Sequence, residues 1–64
     1  MKTSIAKVIL AIVTRDKELV QGGGAPIFYA KNEKQQDKIA TTLGRITEGV
    51  VHELDNGVKI LVKH

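Results

Sequence analysis

The sequence predicts an α+β domain of order β-β-α-β-β, with one amphipathic helix packed on one face of a small, mainly antiparallel sheet. Three observations predict it. Residues 3–14 are a β-branched apolar run, residues 32–48 combine an N-cap with apolar positions at helical spacing, and residues 50–63 are two alternating segments around Asp55-Asn56-Gly57. With 64 residues there is room for one core, so a single α+β domain spans 1–64.

The first segment, Thr3 to Thr14, is rich in Ile and Val, which suit a strand better than a helix. Strict alternation puts Ala6, Val8, Leu10 and Ile12 on one face and Ile5, Ile9, Ala11 and Val13 on the other, interrupted only by Lys7. Two apolar faces require cover on both sides, as a central strand has. Arg15-Asp16-Lys17-Glu18 reads as a turn that returns the chain antiparallel, with Leu19, Val20 and Gln21 beginning a second strand that Ile27 to Ala30 complete. Pro26 lacks an N–H and assigns that strand to a sheet edge.

Between these pieces stand Gly22, Gly23 and Gly24. A phosphate cradle is disfavoured, because an extended stretch from 25 to 31 holds the glycines roughly 20 Å from the helix start. A bulge or a flexible flap is the simpler reading. A third reading is a groove over the first strand that takes a ligand, lined by Leu10, Tyr29 or His52.

Asn32 opens the helix, and Gln35 three residues later completes an N-cap pair close to the capping box. Ile39, Leu43 and Ile46 stack on one face at spacings of four and three, with Ala40 and Thr47 at its margin, and this is the expected core face. Gly49 is placed to follow the C-cap. Gly44 costs about 1 kcal/mol relative to Ala in mid-helix and marks either a close approach or a tolerated defect.

In the terminal hairpin two turn lengths compete. A two-residue loop mixes charged and apolar groups on both faces. A three-residue loop with Gly57 left-handed instead pairs Leu54 with Val58, His52 with Ile60 and Val50 with Val62, and on the other face Glu53 with Lys59 and Val51 with Leu61. The three-residue loop is the prediction.

Counting faces leaves Ile5, Ile9, Ala11, Val13, Val51 and Leu61 without a second helix to cover them. Ile5, Ile9, Val13, Val51 and Leu61 are therefore the candidate oligomer interface, and the chain is expected to be a homodimer or higher homo-oligomer, packed sheet to sheet. The absence of Cys points the same way. Disulfides and thiolate metal sites are excluded in a chain this small, leaving association as the common route to stability.

Ten Lys and Arg against seven Asp and Glu give a net charge of +3, too small to identify an anionic partner by itself. Its distribution says more. Lys31, Lys34, Lys38 and Arg45 project within about 60° of one another along the helix, while Glu33, Asp37 and Glu48 gather on the adjacent flank. This stripe is the candidate nucleic-acid face, and its plainer reading is a solvated helix surface. Phe28 and Tyr29 point to opposite sides of their strand, so at most one could stack on a base.

Catalytic chemistry finds little to use. No Ser or Cys sits in a nucleophile motif, His52 falls on an apolar face, and His64 ends the sequence given. No catalytic residue, cofactor or metal site is assigned. The tautomerase pattern needs Pro after Met1 where this chain has Lys2, and ribbon-helix-helix repressors need two helices after one strand. The apolar run Val8 to Val13 is shorter than a signal core and far shorter than a membrane helix, so a cytoplasmic protein without membrane contact is expected. The functional expectation is a non-enzymatic, self-associating interaction or regulatory module that presents surfaces to a larger protein partner. The alternative is a weak, sequence-tolerant nucleic-acid binder using the helix stripe.

Overall fold

The computed structural model describes residues 8–20 and 24–63. Within them the order is β1 (Val8–Thr14), β2 (Ile27–Tyr29), α1 (Glu33–Thr47), β3 (Val50–Glu53) and β4 (Lys59–Lys63), as the sequence predicts. The four strands form one mixed sheet in the order β2-β1-β4-β3, with α1 packed on one face. β1 is central and β2 lies at the edge, where Pro26 puts it. Ile5, Gly22 and Gly23 lie outside the described residues, as do Lys2, Lys7, Gln21 and His64.

The hairpin has the predicted register. Val50 pairs with Val62, Val51 with Leu61, His52 with Ile60 and Glu53 with Lys59. Leu54 N donates to Val58 O at 2.8 Å and Gly57 N to Leu54 O at 2.9 Å. Gly57 has φ 90°, the left-handed bulge residue a three-residue loop needs.

The second strand departs from expectation. The polar tetrad does turn the chain, with Asp16 Oδ1 accepting from Glu18 N at 2.9 Å and Asp16 O from Leu19 N at 3.1 Å. Leu19 and Val20 then join no strand, and β2 runs parallel to β1, Ile12 beside Ile27 and Val13 beside Phe28. A parallel neighbour needs a crossover of about a dozen residues, and the connection from 15 to 26 supplies that length. Ile12 N donates to Pro26 O and Ala30 N to Thr14 O, each at 2.9 Å, which fixes both ends of the short edge strand.

At the helix start Asn32 Oδ1 accepts from Gln35 N at 2.8 Å, as an N-cap should. Gln35 Oε1 reaches back one residue further than in a capping box and accepts from Lys31 N at 2.6 Å. At the other end Glu48 is the C-cap and itself adopts the left-handed conformation, φ 58°, so the strained residue is not the glycine. Gly49 serves space instead. A Cβ there would stand 2.9 Å from Leu10 Cδ1 and 3.0 Å from Thr47 Oγ1. Gly44 marks a close approach, with Val51 and Leu61 within 3.5–3.7 Å of where its Cβ would be.

Two expectations about faces are corrected. In β1, Ile9 pairs with Val62 but Ala11 with Leu61, a bulge that breaks strict alternation. Leu10 and Ala11 consequently both meet the helix side, and Ile9 leaves the face of Ala11 and Val13. The helix covers the face of Ala11, Val13 and Leu61, which the sequence reading left open, and their buried cluster also takes in Ala40. The helix is also turned from its expected orientation. Gln36 and Ala40 are its buried residues and Gly44 lies over Val51 and Leu61, whereas Ile39 and Leu43 are half-buried and Ile46 is 72% exposed. Small residues at 40 and 44 let the helix come close to the sheet along that line, which pushes the larger apolar residues to its flank.

Candidate interaction surfaces

Register assigns the face without a helix. Val50, His52, Ile60 and Val62 share it with Ile9 and Ile12, and β2 adds Ile27 and Tyr29. Ile9 and Val50 are 46% and 45% exposed, and Tyr29 is 55% exposed. Among the described residues no helix lies over this surface. Of the five residues expected at an interface, Ile9 is on this open face. Val13 and Leu61 are fully buried under the helix and cannot meet a partner, Val51 lies at the margin of the helix side, and Ile5 is outside the described residues. Among the described residues the face without a helix is thus the reverse of the one the count of faces left open, and on it Val62 and Thr14 are buried while Ile9, Val50 and Tyr29 are exposed.

A second surface runs along the helix. Phe28, beside Val13 in the sheet, points to the helix side and forms a groove of about 400 Å³ with Gln35, Lys38, Ile39, Thr42 and Leu43. Lys34, Lys38 and Arg45 lie along one exposed side of α1 that borders this groove, and Lys31 precedes the N-cap.

The acidic flank is used within the fold. Lys59 Nζ lies 2.7 Å from Asp37 Oδ1 and 3.5 Å from Glu53 Oε1, tying the helix to the hairpin. Hydrogen bonding to Asp37 raises the Lys59 pKa above its ordinary 10.5, against burial, which lowers it. A raised folded-state pKa means the stabilisation is complete below 10.5 and is lost as pH rises through the folded value. Thermal melts should therefore show wild type losing stability above about pH 10.5 more steeply than Lys59→Met, which has no proton to release there. Parallel profiles for the two proteins would remove this role of Lys59.

Sequence reasoning missed Gln36. Its side chain is 1% exposed, and Nε2 donates to Val13 O at 2.9 Å and to Gly57 O at 2.8 Å, joining helix, central strand and hairpin turn. The available signal was its helical angle, which falls between Ile39 and Ala40 on the inward side. His52 is exposed on the open sheet face. Among the described residues no cluster of His, Asp and Glu could hold a metal ion, and no helix is long and apolar enough to cross a membrane.

With two partly apolar surfaces described, comparison with known proteins bears on assembly. Residues 6–64 match the family described as the capping complex subunit for YIEGIA. The chain belongs to this family. It is also 36% identical over all its 64 residues to the uncharacterized protein YpzH of Bacillus subtilis (strain 168), and covers 98% of that protein. No solved structure matches the chain. Family membership makes this small α+β protein a component of a multi-subunit complex, in agreement with the interaction module its faces predict.

Proposed function

We propose that this chain is a non-enzymatic subunit that caps a YIEGIA protein, and that it enters the assembly as a homodimer joined through its open sheet face. The observation that carries the capping role is the family match across residues 6–64. The dimer is supported by the open face. Ile9, Val50 and Tyr29 are exposed on it and Ile12 and Ile60 are partly exposed beside them, while Val62 is already buried; covering the exposed part returns roughly 25 cal/mol per Å² of apolar area. A sheet face packed on its own copy by a two-fold axis gives a closed, isologous interface that does not propagate.

The test is co-expression with a tagged YIEGIA protein, followed by affinity capture and light-scattering mass measurement of the complex and of this chain alone. Capture in fixed stoichiometry is the expected result, with a dimeric mass for the free chain. Failure to co-purify would sink the capping role. A monomeric mass at high concentration would sink the dimer and leave the open face for the capped partner.

A further inference from the structure

We infer that the groove between α1 and β2 docks an acidic amphipathic segment of another protein in the complex. The inference rests on the interaction-subunit reading and adds the site and the chemistry of its occupant.

The starting point is an unusual choice made by the fold. At ~100° per residue, Ile39, Leu43 and Ile46 fall within roughly 60° on one flank of α1, yet the helix meets the sheet through Ala40 and Gly44 instead. The apolar flank is left only partly covered. Ile46 is 72% exposed, and Phe28 on the neighbouring edge strand is 37% exposed. Phe28, Ile39 and Leu43 line the groove of about 400 Å³, which has room for one or two large apolar side chains, and Ile46 continues the same helix flank one turn beyond it. Thr42 and Gln35 in its lining offer hydrogen-bonding groups to a backbone passing over it.

Charge selects the occupant. On the side of the groove away from the sheet the helix surface continues directly into Lys38, Arg45 and Lys34, and Lys38 is itself part of the lining. No carboxylate lines the groove. The helix's acidic residues are on the opposite flank, where Asp37 is paired with Lys59. From Lys34 to Arg45 the basic border runs about 16 Å, three helical turns. A segment with apolar side chains on one side and Asp or Glu beside them matches both strips at once, gaining apolar burial in the groove and charge pairing at its rim.

Nucleic acid fits less well, because a phosphate backbone would use the cations and leave the adjoining apolar strip wet. The chain's own remaining residues also fit poorly. Residues 1–7 carry Lys2 and Lys7 and no carboxylate, and Gln21, Gly22 and Gly23 carry neither an acid nor a large apolar group.

The test is an NMR titration of the ¹⁵N-labelled full chain with two synthetic 15-residue helical peptides sharing the same Leu positions. One carries Glu at the remaining outward positions and the other carries Lys. The expected result is saturable shifts at Phe28, Lys38, Ile39, Thr42 and Leu43 with the Glu peptide and none with the Lys peptide. Lys38→Glu with Arg45→Glu, and separately Ile46→Asp, should each weaken Glu-peptide binding at least tenfold, and all three positions are exposed enough to change without unfolding the chain.

Equal response to both peptides, response to neither, or shifts centred on Ile9 and Val50 would overturn the inference. So would a single-stranded oligonucleotide that moves Lys34, Lys38 and Arg45 while Phe28 stays still, or concentration-dependent shifts at the groove without peptide, which would mean a second copy. No YIEGIA protein enters this experiment. Failure of the capping role would appear as lost co-purification with peptide binding intact, and failure of the groove as the converse.

Discussion

Replacing Gln36 with leucine is expected to lower the stability of this chain by about 3 kcal/mol, although leucine has a similar volume and a higher hydrophobicity. Leucine cannot replace what the glutamine side chain donates. Its Nε2 supplies both protons used by Val13 O and Gly57 O, at 2.9 and 2.8 Å. Removing that donor takes one hydrogen bond from the wholly buried Val13 O and one from the part-buried Gly57 O, each worth roughly 0.5–1.5 kcal/mol with the upper end expected at buried groups. A domain of this size holds only roughly 3–10 kcal/mol in total, so the variant should be partly unfolded at room temperature.

Gln36→Glu separates the hydrogen-bond account from a packing account. The introduced carboxylate has no proton to give at neutral pH and should cost at least as much as leucine. Protonation restores one donor, so the folded-state pKa of that group is raised. Stability relative to wild type should then recover as pH falls through it, in denaturant titrations from pH 7 to pH 4. A leucine variant within 0.5 kcal/mol of wild type would refute the assignment.

How much of this was legible depends on what each element's neighbours decide. The hairpin could be read because its evidence is local. Glu53 opposite Lys59 and Val51 opposite Leu61 favour one register over the other whatever the rest of the chain does. Asn32 and Gln35 are local in the same sense. β2 was not, since Arg15 to Glu18 turns the chain equally well before a hairpin or before a crossover, and the direction of β2 depends on where the whole connection from 15 to 26 goes. The bulge at Ile9 and Ala11 was invisible for a related reason, because nothing in an unbroken run of apolar residues marks where one residue drops out of the pairing. That one residue reversed the face of Ile9 relative to Val13. The candidate interface consequently included Val13 and Leu61, which are buried under the helix.

The helix shows the same limit more sharply, and a pair of alanine substitutions measures it. By spacing alone Ile46 belongs to the core and Leu61 to an uncovered face, so Ile46→Ala would be costly and Leu61→Ala cheap. The structure reverses the order. Leu61 is fully buried against Ala11, Val13 and Ala40, with Cδ2 close beneath Gly44, and its truncation should leave a cavity that costs about 3 kcal/mol. Ile46 is 72% exposed and its truncation should fall within about 0.5 kcal/mol of wild type. Urea titration of the two variants reads the difference directly, provided both unfold with the slope of wild type. The contrast has a functional side as well. Ile46, 72% exposed on the helix flank that leads into the groove and next to the row of cations, has apolar surface to give up in a bound state. Ile46→Ala should therefore leave the melting curve unchanged while weakening the acidic-peptide complex. A large loss of stability from Ile46→Ala would instead return that residue to the core and restore the helix orientation that spacing alone suggests.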